Sequence, residues 1–161
     1  MNVLQVIGKQ DTSFAGRPTV KVVIWRDDKI LILNDGLLPG GGVASGESDT
    51  EALRREIREE LGASVGVMTS IGTVIQYRSF LRKKYIIRGF TSELIDFNLQ
   101  ITPQDEGERN FQVKWLSLED AMQMTNKAIA AFESRENSDD SVQGKLFNLM
   151  TTRAFLSAVA G

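Results

Sequence analysis

The chain has no cysteine and no histidine among its 161 residues. Disulfides, thiol nucleophiles, histidine-ligated zinc and an imidazole general base are thereby excluded, so acid–base work must fall to carboxylates, tyrosine or lysine. A surplus of positive charge is missing too. The 19 Lys and Arg face 21 Asp and Glu, too even a balance for the global basic field that drives nonspecific nucleic-acid binding. No apolar run approaches the length of a membrane span, and Met1 to Gln10 lacks the charged start and apolar core of a secretion signal. The expectation is a cytoplasmic protein with a small anionic substrate as its partner, and neither nucleic acid nor membrane. With 42% hydrophobic content, residues 1–161 suffice for a single domain with a core of two or three packed layers.

What is present is concentrated between Gly41 and Ala63. Ser48 is followed three residues later by Glu51, a capping-box pattern that starts a helix, and Gly62 stands where a C-terminal cap is expected. A helix over 49–61 follows. At about 100° per residue, Leu53, Ile57 and Leu61 form an apolar stripe, while Glu56, Glu59 and Glu60 form the stripe beside it. Glu56 and Glu60 are a like-charge pair at i,i+4, which opposes the helix by a few tenths of a kcal/mol unless a cation neutralises it. Glycines just before the helix let backbone approach a phosphate closely, and carboxylates on one helical face can hold a hard divalent cation against that phosphate. A solvated helix held by Glu51–Arg55 and Arg55–Glu59 pairs would explain the helix alone. It would not explain glycines and a Glu at fixed offsets from it.

The segment resembles the Nudix box: Gly, five residues, Glu, seven residues, Arg-Glu-apolar, one residue, Glu-Glu, one residue, Gly-apolar. Gly41, Glu47, Arg55, Glu56, Ile57, Glu59, Glu60 and Gly62 match it. The departure is Ala63, where the family usually has a larger aliphatic residue. The resemblance implies an α/β fold, an α/β/α sandwich with a mixed sheet. It also implies a hydrolase acting on a nucleoside diphosphate linked to another group, with Mg²⁺ or Mn²⁺ as cofactor. Glu56, Glu59 and Glu60 would ligate the metal, with the Gly41 carbonyl a further ligand. Glu47 and Arg55 would form a charge-assisted pair locking loop to helix, Arg55 also orienting a ligand carboxylate. Gly62 is structural. Glu56 could be a ligand or the base that deprotonates water; the spacing leaves both open. Some members recruit a further Glu from a later loop, and Glu106 and Glu108 are placed as such a loop would be. A solvated acidic turn accounts for them equally well.

The rest of the chain reads as strands at Val3–Ile7, Thr19–Trp25, Lys29–Leu33, Val65–Phe80, Lys84–Leu94 and Phe111–Leu116. A helix from Ser117 through Ala130 and another over Val142–Ala160 complete it, with Asp11–Pro18 and Glu133–Ser141 as loops. Arg26-Asp27-Asp28 reads as a hairpin turn. Substrate markers seen in Nudix subfamilies are missing: where the ADP-ribose type carries Pro, this chain has Tyr77-Arg78-Ser79. A nucleoside or deoxynucleoside triphosphate is favoured by the Leu38-Pro39-Gly40-Gly41 lead-in, which resembles nucleotide-pool sanitising members. An ADP-ribose or nucleotide-sugar pyrophosphatase is the alternative, as is a nucleotide sensor without turnover. A purely structural protein is a third class, for which the carboxylate stripe would be a needless cost. Tyr77, Arg78 and Arg88 are candidate substrate contacts, for base stacking and for phosphate. Family analogy also suggests a homodimer.

Overall fold

A computed structural model describes residues 1–97, 111–135 and 138–161. Its elements are β1 (Val3–Ile7), β2 (Ala15–Arg26), β3 (Lys29–Leu33), β4 (Gly40–Gly42), α1 (Asp49–Leu61), β5 (Ser64–Val65), β6 (Thr69–Arg78) and β7 (Lys83–Asp96). They are followed by β8 (Val113–Leu116), α2 (Leu118–Glu133) and α3 (Asp140–Ala160). The strands order as β1-β6-β7-β2-β3-β8, with β4 on β2 and β5 on β7. The β1–β6 and β2–β7 pairs are parallel and the others antiparallel, so the sheet is mixed. Arg26 pairs with Lys29 across a two-residue turn in which Asp27 takes φ +55°. Aspartate tolerates that left-handed conformation better than most residues do.

Alternation along the central strands feeds a core on each face. Val20, Val22, Ile24, Leu31 and Leu33 meet Leu53, Ile57 and Leu61, the stripe read from the sequence of α1. Val23, Ile30, Ile32, Val74 and Ile87 meet α2 and α3 on the opposite face. Helix, sheet and helices therefore stack as an α/β/α sandwich. On the α3 side the fully buried Phe155 ring occupies the space left by Gly89, where an added Cβ would fall 2.3 Å from a ring carbon. Among the described residues no helix is long and apolar enough to cross a membrane.

Several boundaries differ from the sequence reading for tertiary reasons. β2 starts at Ala15 rather than Thr19, because its first residues pair in parallel with Lys83 and Lys84 of β7. The run expected over Val65–Phe80 is two strands: Ser64–Val65 joins the far end of β7, and Thr69–Arg78 pairs along its length. α2 continues to Glu133, and α3 begins at Asp140, where the Asp139 carboxylate accepts from the Val142 N–H. The expected loop over Glu133–Ser141 thus surrenders residues to helices at both ends.

Candidate active site

The site is assembled around α1. Ser48 Oγ accepts the Glu51 N–H at 3.2 Å and Ser48 N–H donates to the Glu51 carboxylate at 3.3 Å, closing the predicted capping box. Gly62 ends the helix at φ +60°, its N–H bonded to the Arg58 carbonyl at 2.9 Å. Those two caps set the ends of α1, and the packing of Leu53, Ile57 and Leu61 on the sheet turns the carboxylate stripe towards β4.

Arg55 is the hub of the arrangement. Its Nε and Nη2 donate to the two Glu47 oxygens at 2.7 and 2.9 Å, and Nη2 also donates to the Gly42 carbonyl at 3.0 Å. Nη1 donates to Glu56 Oε1 at 2.9 Å and to Glu59 Oε2 at 3.3 Å. One guanidinium thus ties the loop, β4 and two box carboxylates together, the fork geometry that lysine lacks. Glu60 joins β4 differently, through the Gly40 N–H at 3.0 Å. Glu47 and Arg55 thus form a two-bond ion pair between the loop and α1.

These bonds act on the charges. Hydrogen bonds from Arg55, then from the Ala44 N–H, hold the Glu47 carboxyl at about 2, below its ordinary 4.5, and the same pairing raises the Arg55 guanidinium. Because the folded-state value is the lower one, the stabilisation is present above pH 4.5 and is lost as pH falls from 4.5 towards 2. Parent protein should therefore lose denaturant stability more steeply across that interval than Glu47→Gln. Parallel pH profiles would remove the assignment.

The glycines of β4 serve close approach. A Cβ on Gly41 would lie 2.6 Å from the Glu56 carboxyl carbon, and one on Gly40, at φ +144°, would lie 2.0 Å from the Val20 carbonyl oxygen. Gly41→Ala should push Glu56 aside and lower kcat/KM by about 100-fold, with little change in melting temperature because a flexible side chain yields. Steady-state kinetics beside a thermal melt would check both halves.

Beside this strand lies a cavity of about 220 Å³ bordered by Lys21, Leu38, Gly40, Gly41, Glu56 and Glu60. Lys21 was not singled out by the sequence reading, although a lysine inside the otherwise apolar run Val20 to Trp25 was a usable signal. Its Nζ donates to the Leu38 carbonyl at 3.1 Å. Burial pushes its ammonium below the ordinary lysine value, against the opposing pull of Glu60 and Glu56.

The expected substrate contacts lie elsewhere. Arg88 reaches Asp49 at the start of α1, with Nε–Oδ2 2.5 Å and Nη2–Oδ1 2.7 Å. Arg78 lies over the Tyr85 ring, 5.0 Å from its centroid and 3.6 Å from Asp140, in the space left by Gly144. Tyr77 is buried and packs at a tilt against Phe14. None of the three borders the cavity beside Glu56 and Glu60. Alternation along β6 and β7, together with the docking of α1 and α3, directs them to other partners. Glu106 and Glu108 lie outside the described residues.

The donors suit a hard divalent ion in kind: three carboxylates on one helical flank and a backbone carbonyl at Gly41, with no soft ligand nearby. The bare Gly41 backbone, pressed against the Glu56 carboxyl, leaves the close approach such a site requires. Among the described residues no three acidic side chains already form a closed cage; Glu56 and Glu59 each lend an oxygen to Arg55.

Comparison with known proteins settles the family. The NUDIX domain profile matches residues 16–136. The chain belongs to the Nudix family. A MutT NUDIX hydrolase from Burkholderia pseudomallei superposes with a TM-score of 0.55 at 23% identity, covering 65% of this chain and 84% of that one. A NUDIX hydrolase from Nitrosomonas europaea gives 0.52 at 20% identity, covering 85% and 90%. These two likenesses establish the Nudix fold. The ORF135 protein of E. coli gives 0.52 at 25% identity, covering 81% of this chain and all, 100%, of that one. Among curated proteins, the nucleoside triphosphatase NudI of Escherichia coli is 61% identical over 36 residues, 22% of this chain. That match spans 26% of the NudI chain, about a quarter of its length.

Proposed function

We propose that this Nudix chain, acting as one domain, is a Mg²⁺- or Mn²⁺-dependent pyrophosphohydrolase of nucleoside diphosphate-X compounds. A nucleoside or deoxynucleoside triphosphate is its preferred substrate. The observation that carries the reading is the Arg55 clamp, which sets Glu56 and Glu59 beside the side-chain-free strand Gly40–Gly42. A helix stabilised only by surface pairs has no use for that alignment.

Glu56, Glu59 and Glu60 would hold the cation with the Gly41 carbonyl. When bound, the cation would neutralise diphosphate charge and make hydroxide available from water at neutral pH. Water oxygen adds to one phosphorus, the bridging oxygen leaves with its electron pair, and the water proton passes to a carboxylate. Glu56 would take it, a reading supported by its position at the cavity edge, where one of its oxygens accepts from Arg55. Lacking histidine, the chain has few other groups suited to that transfer. The preference for triphosphates is supported by the Leu38-Pro39-Gly40-Gly41 lead-in and by the NudI segment match, NudI being a nucleoside triphosphatase. A cytoplasmic location and a homodimer belong to the same proposal on family analogy alone.

The test is a panel of triphosphates, oxidised triphosphates, ADP-ribose, nucleotide sugars and dinucleoside polyphosphates, run with Mg²⁺ or Mn²⁺ and with products resolved. Metal-dependent release of a nucleoside monophosphate from triphosphates is expected. Faster turnover of ADP-ribose or a nucleotide sugar would transfer the assignment to that class. No turnover, with one nucleotide still raising the melting temperature, would make the chain a sensor.

A further inference from the structure

Lys21 is the charged residue in a stretch of β2 whose neighbours Val20, Val22, Val23 and Ile24 are all fully buried. Taking an ammonium group out of water costs free energy unless polar or charged surroundings compensate. Methionine would fill comparable space without that cost, so packing alone gives no reason for lysine here. Its hydrogen bond goes to a neutral carbonyl, that of Leu38, while Glu56 and Glu60 border the same cavity. Strand pairing sets Lys21 opposite Gly40 and Val20 opposite Gly41, and Lys21 lines the cavity together with Gly40, Gly41, Glu56 and Glu60. Four residues back on β2, an Arg17 guanidinium nitrogen stands 3.9 Å from where a Gly42 Cβ would be. The glycine strand is therefore flanked by a cation at each end and by carboxylates on α1.

We propose that Lys21 is a further catalytic residue of this site, its ammonium binding non-bridging oxygens of the substrate diphosphate laid along Gly40–Gly42, with Arg17 meeting a more distal phosphate. A flexible point charge such as lysine suits a phosphate that must shift as its bond breaks. The assignment rests on the pyrophosphohydrolase reading above and names the chain's own group for holding the substrate.

Inorganic pyrophosphate in the presence of Ca²⁺ is the binding probe, measured by calorimetry for the parent, Lys21→Met, Lys21→Gln and Lys21→Arg, with thermal melts in EDTA as the folding check. Loss of a charged hydrogen bond should weaken pyrophosphate binding by about 10-fold or more in the Met and Gln variants. Lys21→Arg should recover part of that loss. Mn²⁺ affinity, read by electron paramagnetic resonance without pyrophosphate, should hold or rise, because a positive charge near the carboxylates has gone. Triphosphate turnover in Mg²⁺ should fall by about 100-fold, the scale for removing one preorganised donor. Pyrophosphate affinity within about twofold of parent in the folded variants, with only Mn²⁺ affinity altered, would overturn the proposal and make Lys21 a counter-ion to Glu56 and Glu60. A parent that hydrolysed no nucleotide would refute the enzyme reading, and the pyrophosphate comparison would still decide for or against Lys21.

Discussion

Replacing Glu60 by Gln is expected to reduce turnover by about 1,000-fold or more, a loss near 4 kcal/mol of transition-state stabilisation, while the fold survives. Two features separate chemistry from stability at this position. Glutamine keeps a carbonyl oxygen able to accept the Gly40 N–H, which Glu60 accepts at 3.0 Å, so the tie between α1 and β4 persists. The change also relieves the like-charge pairing with Glu56 one helical turn away. Melting temperature in EDTA should therefore stay close to the parent's, the relief being offset by the lost attraction to the buried Lys21 ammonium, whereas the rise on adding Mg²⁺ should shrink. Glu59→Gln should lose activity on the same scale, although it also weakens a contact to Arg55 at 3.3 Å. Either variant retaining near-parental kcat would show that the cation is held elsewhere.

Arg55→Ala should have the second largest effect, of a different kind. Its guanidinium makes hydrogen bonds to Glu47, Glu56, Glu59 and the Gly42 carbonyl, and its removal leaves three carboxylates facing one another across the loop and helix. The side chain is 32% exposed, and Glu47, Glu56 and Glu59 are 17%, 13% and 12% exposed, so solvent screens part of the penalty. A loss of about 1–3 kcal/mol in unfolding free energy is expected, together with a fall in kcat of about 10- to 100-fold. Mg²⁺ should restore part of the stability, since it neutralises the same carboxylates that Arg55 does. Arg55→Lys should recover little, because one ammonium cannot span Glu47, Gly42 and Glu56 together. A melting curve that ignores Mg²⁺ in Arg55→Ala would separate the clamp from the cation site.

Most of the candidate site could be read from the chain because most of it is local. Helix rotation fixes the relation among Leu53, Glu56, Ile57, Glu59 and Glu60 from spacing alone. The two caps, Ser48 with Glu51 and Gly62, are made by residues within a few positions of the helix ends. The Glu47–Arg55 pair also lies inside the same segment. The cores follow in the same way from alternation along β2 and β3.

What needed the tertiary structure was everything depending on partners distant in sequence. Tyr77, Arg78 and Arg88 looked alike as basic or aromatic residues near a strand turn. Only the docking of α1 gives Arg88 to Asp49, and only that of α3 gives Arg78 to Asp140 and the space at Gly144. A one-dimensional pattern carries the alternation of strand faces but not what covers each face. Lys21 shows the converse: unremarked in sequence, it borders the same cavity as Glu56 and Glu60 because β2 pairs with β4, Lys21 opposite Gly40. The sequence by itself determined the helix, its caps and its row of carboxylates, through interactions closed within one or two turns. Sheet register and helix docking decided which distant side chains share the cavity, because those pairings join positions that local conformation does not relate.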